Sequence, residues 1–305
     1  MNESAIKQLL KPENLRSVKG LELLSRMTTQ GIVQGLNRSS RTGPGQEFSQ
    51  YRSYQPGDDL RLVDWKLYGR SDRFFVREAE LETNTIIQFF LDASNSMLHE
   101  DGGLQKLDYA RYLIATLAWL AQGQGDEIGL YALNNQQYYF LTPRPGKRYF
   151  HRFLFELTSI DGQGKFPAGG HQTTEHLLYQ ARTRPGVREI IVFVTDFYEQ
   201  DEEIRQVIKT LSQMKKEVIV FHLMGHNELN FDFQGAVSFE DLESGERINA
   251  DANAIKKTYL AQLKARLETL KSTLLNWQVD YYLLNTGQPL GPTLQSVLEQ
   301  RRQRL

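Results

Sequence analysis

The pattern of apolar positions from Thr85 onward predicts strands that alternate with helices. Two continuous apolar runs, Ile86–Leu91 and Ile190–Val194, are typical of strands buried on both faces of a sheet. Period-two and helical spacing predict the other elements: strands at 128–133, 138–141, 218–223 and 279–284, and helices at 107–120, 149–157, 174–181, 202–214, 254–275 and 293–301. This alternation indicates a mostly parallel sheet with helices on both faces, joined by right-handed crossovers.

Two predicted hairpins modify this pattern. Asn134-Asn135 is typical of a tight turn, so segment 138–141 is predicted to lie antiparallel to its predecessor as an edge strand. Ser244-Gly245 joins two short apolar segments into a small hairpin inserted near 236–249. The predicted fold is a three-layer α/β/α sandwich with a Rossmann-type sheet, mostly parallel, that carries one antiparallel edge strand.

Residues 1–84 differ in texture from the predicted main domain at 85–305. Segments 6–10 and 15–24 show helix-like or mixed apolar spacing, and 74–81 is predicted to be extended. Segment 31–57 is rich in glycine, serine, arginine and proline, which predicts loops and short strands. Because apolar residues recur throughout, residues 1–84 are predicted to form an N-terminal extension packed on the core.

Composition excludes several classes of chemistry. The 305 residues include 36 Lys and Arg against 37 Asp and Glu, so net charge favours no class of partner. Interleaved acids in the arginine-rich extension argue against a nucleic-acid groove. Cysteine is absent, which excludes disulfides, thiolate metal sites and cysteine nucleophiles. The sequence shows no secretory pattern and no apolar stretch long enough for a membrane span, so we expect a cytoplasmic protein.

Oxygen-bearing side chains follow the two buried runs directly. Asp92-Ala93-Ser94-Asn95-Ser96 comes after the first and Thr195-Asp196 after the second. In an open α/β sheet, ligands bind at the carboxyl ends of the strands, where the strand order reverses. Carboxylate and hydroxyl oxygens suit a hard cation such as Mg²⁺ or Mn²⁺. A cation with so few acidic ligands would accept a further carboxylate from a partner. The alternative is that Asp92 and the serines cap the following helix.

These residues resemble a known metal site. Asp92, Ser94, Ser96 and Asp196 resemble the metal-ion-dependent adhesion site of von Willebrand A domains. That family's third element is a threonine in a loop before a helix. Here His171 occupies its position, and the resemblance therefore implies that Thr173, or the adjacent Thr174, takes the threonine's place as a ligand.

The resemblance is closer still to a bacterial family, domain-of-unknown-function family 58, whose members resemble von Willebrand A domains with an N-terminal extension. The matching segments are Gly45-Gln46-Glu47-Phe48, Arg52 to Asp59, Arg61 to Trp65, Thr195-Asp196-Phe197 and Glu243-Ser244-Gly245-Glu246. The resemblance implies a protein-binding role beside a MoxR-type AAA+ ATPase, as an adaptor or co-chaperone, and no enzymatic activity. The segment Pro56–Trp65 is predicted to be a latch between the extension and the core in preference to a docking surface.

Two other functions remain open on the sequence. The first is an Mg²⁺-dependent hydrolase or phosphoryl-transfer enzyme with Asp92 as nucleophile. It needs a lysine and further carboxylates in the cleft, and only Lys106 and Asp101 lie near in sequence. The second is a metal-free scaffold. The histidines show no zinc-type spacing, and His222, on an apolar strand, is predicted to be a hydrogen-bonded core residue.

Overall fold

The structure, a computed structural model, describes residues 6, 9–39, 51–53, 65–71, 73–77, 85–167, 187–198, 202–214 and 216–302. The chain divides into two compact units, one of residues 1–37 and 84–305 and the other of residues 38–83. The predicted helix at 174–181 and the segment 56–64 lie outside the described residues.

Helices and strands alternate along the larger unit, as predicted. The helices are α1 (Pro12–Leu15), α2 (Val18–Ser39), α3 (Trp65–Ser71), α4 (Lys106–Gly123), α5 (Lys147–Ser159), α6 (Glu203–Gln213), α7 (His226–Asn230), α8 (Ala252–Asn276) and α9 (Leu290–Arg302). The strands are β1 (Tyr51–Ser53), β2 (Phe75–Arg77), β3 (Ile86–Asp92), β4 (Glu100–Asp101), β5 (Leu104–Gln105), β6 (Glu127–Leu133), β7 (Tyr138–Arg144), β8 (Glu189–Thr195), β9 (Glu217–Met224), β10 (Ala236–Glu240), β11 (Arg247–Asp251) and β12 (Asp280–Asn285).

Six strands form the central sheet in the order β12-β9-β8-β3-β6-β7. Neighbouring strands are parallel except at one edge, where β7 lies antiparallel to β6. The turn between these two strands is held by Asn134, whose side-chain oxygen accepts hydrogen bonds from the N–H groups of Gln136 and Gln137. The predicted fold, including its antiparallel edge strand, is confirmed. The strand order reverses between β3 and β8, which places the predicted crevice there.

Both faces of the sheet are covered because side chains alternate along each strand. Phe89 and Leu91 of β3 lie in a core that α2, α4, α5 and α9 share on one face. Phe90 of β3 and Phe193 of β8 lie in the core on the other face, against α6 and α8. Burial of each such side chain stabilises the fold by about 1.5–3 kcal/mol, so the two faces hold the crevice between rigid layers.

The N-terminal helix differs from the sequence prediction. Segment 31–57 was predicted to form loops and short strands, but α2 continues through Gly31 to Ser39. A glycine costs a helix about 1 kcal/mol relative to alanine. The neighbouring Ile32 is almost completely buried in the core with Leu21 and Leu24, and this burial outweighs the local cost. Tertiary packing therefore overrides composition here.

The start of α9 also differs from the prediction. The helix was predicted to begin near Thr293, but it begins at Leu290 and includes Gly291 and Pro292 in its first turn. Proline is tolerated there because the first N–H groups of a helix have no partner within the helix. Leu290 is buried in the core, which favours the earlier start.

In the smaller unit, β1 pairs with β2 in an antiparallel arrangement. Trp65, Tyr68 and Phe74 form an aromatic group in which the Tyr68 and Phe74 rings stack with centroids 4.3 Å apart. Trp65 is 58% exposed. The role of the segment that ends at Trp65, as latch or docking surface, stays a prediction because its other residues lie outside the described ones.

Two elements flank the crevice on the larger unit. The predicted hairpin is present, with β10 and β11 paired antiparallel. Helix α8 follows it, and only Ala252, Leu270 and Leu274 of this helix are fully buried. Within the described part of the chain, no helix is long and apolar enough to cross a membrane.

Candidate metal centre

Asp92 ends β3 at the carboxyl edge of the sheet and is completely buried. Its Oδ1 accepts a hydrogen bond from the N–H of Ser94 at 3.0 Å. Its Oδ2 accepts one from the hydroxyl of Thr195 at 2.7 Å. Thr195 ends β8, the strand beside β3. The two strands that flank the point of reversal are therefore joined by their last side chains.

The other predicted ligands lie beside Asp92. The Ser94 and Ser96 hydroxyl oxygens are 3.0 Å apart, and Ser96 donates a hydrogen bond to Asp196 Oδ1 at 3.0 Å. We call Asp92, Ser94, Ser96 and Asp196 the Asp–Ser cluster. Residues separated by about a hundred positions in sequence thus form one hydrogen-bonded group, as the two strand ends led us to expect.

The helix-cap alternative does not describe this loop. Ser94 precedes a short 3-10 turn at Asn95–Leu98 and makes no side-chain capping hydrogen bond to it. The next α-helix begins only at Lys106, after the small β4–β5 hairpin. The serine hydroxyls instead face each other and the later aspartate, so the loop is organised around the carboxylates.

The backbone after Asp196 turns sharply. Phe197 has φ 53, a left-handed conformation that is uncommon for a bulky residue and costs free energy. The Phe197 N–H donates to the Thr195 hydroxyl at 3.0 Å, and the Tyr198 N–H donates to Asp196 Oδ1 at 3.2 Å. These bonds fix the direction of the Asp196 carboxylate. His222 accepts no role as a base here: burial lowers its pKa to about 3.

Lys106 lies inside the same site. Its ammonium group is 2.9 Å from Asp196 Oδ2 and 2.8 Å from Glu228 Oε1, and its side chain is 5% exposed. Burial favours the neutral amine, but the charges of Asp196 and Glu228 outweigh it and raise the pKa of Lys106. Burial likewise acts to raise the pKa of Asp196, but the charge and hydrogen bond of Lys106 leave it below its usual value.

Asp92 has no such counter-ion. Burial and the nearby charge of Asp196 raise the pKa of Asp92 to about 7. Among the residues that the structure describes, no lysine, arginine or histidine pairs with Asp92, because Lys106 is engaged by other carboxylates. A buried carboxylate without a cation is costly, and its hydrogen bonds from Ser94 and Thr195 compensate it only in part.

A third carboxylate approaches from the β10–β11 hairpin. Glu243 lies in the turn of this hairpin, and its Oε1 is buried with no hydrogen-bond partner among the described residues. Burial and the charges of Asp92 and Asp196 raise the pKa of Glu243 to about 8, although the charge of Lys165 opposes them. The charges of three carboxylates therefore act on one another at this edge of the sheet.

The donor set fits a hard divalent cation. Two hydroxyls and carboxylates with uncompensated negative charge are the ligands that Mg²⁺ prefers, usually together with several waters. Among the described residues, no group of three or more acidic or histidine side chains is close enough to hold an ion alone. The serine hydroxyls would therefore have to take part. The predicted ligand Thr173, with His171, lies outside the described residues.

A cleft of about 370 Å³ opens beside the Asp–Ser cluster. Polar and charged groups of Lys106, Asp196, Tyr198, His222 and Arg266 line it, together with apolar side chains of α8. Arg266 of α8 donates a hydrogen bond to the Phe197 carbonyl at 3.0 Å, which ties the helix to the strand end. A larger cavity of about 490 Å³ lies near the start of α9, but the Asp–Ser cluster does not line it.

Sequence reasoning missed four members of this site. Thr195 directly precedes the predicted Asp196, so its place at the strand end was visible, but its bond to Asp92 was not. Lys106 stands in the first turn of a helix that was predicted to begin at Leu107. Glu228 and Glu243 carry no local signal, because both lie in short segments after the last strands of the pattern.

The strand order, the antiparallel edge strand and the Asp–Ser cluster at the point of reversal define a von Willebrand A-like α/β domain. The family model described as "Protein of unknown function DUF58" matches residues 50–269. The chain therefore belongs to this family, as its sequence resemblance indicated.

Individual relatives are distant. "Uncharacterized protein Mb1516" from Mycobacterium bovis is 25% identical over 238 residues, which cover 77% of this chain and 72% of that protein. The conserved hypothetical protein BatB from Bacteroides thetaiotaomicron is 14% identical, with a TM-score of 0.46 over 72% of this chain and 100% of that chain. The VWA domain of SpRpn10 is 12% identical, with a TM-score of 0.40 over 71% of this chain and 95% of that chain.

Proposed function

We propose that this chain is a metal-dependent protein-binding module. Its Asp–Ser cluster would hold Mg²⁺ or Mn²⁺, and the ion, when bound, would supply an open position for a carboxylate of a protein partner. The observation that carries this proposal is the charge of Asp92, a fully buried carboxylate to which no described residue offers a cation. A divalent ion would compensate that charge and leave the hydrogen bonds of Asp92 in place.

The geometry favours binding over catalysis. A nucleophilic or basic Asp92 would have to reach its substrate, but this side chain has no exposed surface and both oxygens accept hydrogen bonds. Lys106 is held protonated by Asp196 and Glu228, so it does not serve as a base. We therefore propose that the chain is not an enzyme.

The partner we propose is a protein with an exposed acidic side chain, specifically a MoxR-type AAA+ ATPase in the cytoplasm. Resemblance to the family supports this choice of ATPase. The rim of the crevice supports a protein as the class of partner, because Tyr198 and Leu242 beside the acidic groups are partly exposed and offer apolar contact. Thr173 is proposed as an additional ligand of the ion.

One observation favours a second candidate, an Mg²⁺-dependent hydrolase or phosphoryl-transfer enzyme. The lysine and additional carboxylates that this chemistry requires are present, since Lys106 and Glu228 lie beside Asp196. A screen of phosphate monoesters with Mg²⁺ separates the two candidates. Turnover that disappears in Asp92→Asn would favour the enzyme.

Calorimetric titration with Mg²⁺ and Mn²⁺ tests the proposed site directly. We expect the wild-type chain to bind an ion and the double variant Asp92→Ala/Ser94→Ala to show no binding heat, because it lacks a carboxylate and a hydroxyl of the cluster. Asp232→Asn, which removes an exposed acid outside the cluster, serves as the matched control and should bind as the wild type does.

Circular dichroism of each variant shows whether it is folded before titration. Binding that persists in the folded double variant would contradict the site. Absence of binding in the wild type, both alone and with an acidic partner peptide, would favour the metal-free scaffold.

A further inference from the structure

The turn that carries Glu243 is a fixed structure. Asp241 Oδ1 accepts hydrogen bonds from the N–H groups of Glu243 at 2.8 Å and Ser244 at 3.2 Å. The Gly245 N–H donates to the Asp241 carbonyl at 2.7 Å, and Gly245 adopts φ 75, which glycine tolerates. The turn therefore sets the direction in which the Glu243 side chain leaves the backbone.

The same turn is tied to the metal centre. The Tyr198 hydroxyl donates to Asp241 Oδ2 at 2.7 Å, and the Tyr198 N–H donates to Asp196 Oδ1 at 3.2 Å. Burial alone would raise the pKa of Asp241, but the hydrogen bonds from Tyr198 and from the turn lower it to about 2. One residue thus links the turn of the hairpin to the Asp–Ser cluster.

Glu243 itself is in an unfavourable position within the described part of the chain. One of its carboxylate oxygens is withdrawn from water and accepts no hydrogen bond, and the charges of Asp92 and Asp196 act on it. An unsatisfied buried acceptor costs about 1–3 kcal/mol, and more when it is charged. Lys165 supplies a positive charge nearby but does not offset these costs. A fixed turn that holds a carboxylate against two others is explained if a cation joins them.

We propose that Glu243 is a ligand of the ion held by the Asp–Ser cluster, so that the hairpin turn competes with the acidic side chain of a partner. This inference rests on the metal-dependent binding proposed above. The turn would then be a built-in occupant of the position that faces the crevice. A partner would bind when its own carboxylate displaces Glu243, which keeps the ion from binding stray anions.

Glu243→Gln in the full chain tests this assignment with Mn²⁺ as the probe. The variant keeps the size and the amide hydrogen-bonding capacity of the side chain but removes the charge. We expect its affinity for Mn²⁺ to fall about tenfold, since ion affinity follows the number of charged ligands. Glu246→Gln, an exposed acid in the same turn, is the matched control and should bind Mn²⁺ as the wild type does.

Water proton relaxation distinguishes a ligand from a distant charge. The relaxation enhancement by bound Mn²⁺ should be greater in Glu243→Gln than in the wild type, because a water takes the position that the carboxylate leaves. Lower affinity without this increase would mean that Glu243 acts only through its field, and would overturn the assignment.

The remaining outcomes separate this assignment from the proposed function. Equal affinity and equal relaxation in the wild type and Glu243→Gln would overturn the role of Glu243 and leave metal binding by the cluster intact. No binding of Mn²⁺ by the wild type would overturn both proposals. Weaker acetate binding to Mn²⁺-loaded wild type than to loaded Glu243→Gln would support the competition.

Discussion

At the scale of single residues, the site is organised by an unequal distribution of charge. Lys106 neutralises Asp196 and Glu228, whereas Asp92 is equally buried and has no cation among the described residues. Asp92 therefore keeps a high pKa, while that of Asp196 is lowered. Such an arrangement lowers the stability of the chain without an ion and increases the affinity for one, which is a common trade-off at functional sites.

Asp92→Asn tests this trade-off. In chelator at pH 8, we expect the variant to be more stable than the wild type by about 1–3 kcal/mol, because a neutral amide removes an unpaired buried charge. The same variant should lose the stabilisation that Mg²⁺ gives the wild type. Urea unfolding with chelator and with Mg²⁺ measures both effects. A variant that is clearly less stable than the wild type in chelator would show that Asp92 is already compensated within the fold.

At the scale of elements, helix α2 shows how far packing extends the core. Leu21, Leu24 and Ile32 are buried in the core on one face of the sheet. Before this helix, Arg16 forms an ion pair with the buried Asp108 of α4 at 2.8 Å. The described residues before position 38 therefore contribute to the same core as the central sheet.

Substitutions at two adjacent positions of α2 measure that contribution. Ile32→Ala should lower the free energy of unfolding by about 2–5 kcal/mol, because it removes buried methyl groups and leaves a cavity. Val33→Ala, at a position that is 43% exposed, should change it by about 0.5 kcal/mol or less. Urea unfolding followed by circular dichroism gives both values. Equal effects at the two positions would show that this part of the helix does not pack on the core.

At the scale of the whole molecule, the carboxylates make stability depend on pH and on metal together. The folded-state pKa values of Asp92 and Glu243 are raised to about 7 and about 8. Their stabilising contribution is therefore complete below the unfolded pKa values near 4 and is lost as pH rises through 7 and 8. His222 has a lowered pKa, so its contribution changes only below about pH 6.5.

We accordingly expect the metal-free chain to lose about 1–2 kcal/mol between pH 6.5 and 8.5, a value reduced by the partial exposure of Glu243. Asp92→Asn/Glu243→Gln should lose much less over the same interval. Saturating Mg²⁺ should restore the stability of the wild type at pH 8.5, by about 2.7 kcal/mol at a hundred times Kd. Thermal unfolding at the two pH values checks this, and a wild type whose stability rises with pH in chelator would contradict it.

The sequence by itself determined the fold class and half of the site. Continuous apolar runs such as Ile86–Leu91 fix where buried strands lie, because only a strand covered on both faces buries every side chain. The residues that end these runs, Asp92 and Asp196, follow at the edge where parallel strands meet. Local pattern carries this information because burial and side-chain direction repeat with the period of each element.

Tertiary structure alone decided which distant groups meet. The pairing of Lys106 with Asp196 and Glu228, the bond from Thr195 to Asp92 and the approach of Glu243 all join segments far apart in sequence. Composition likewise gave no sign that α2 continues past Gly31. These features depend on strand order and on the packing of helices against the sheet, and charge partners have no period along the chain. The counter-ions of a buried site are therefore set by the fold, while the strand ends that form it are set by the sequence.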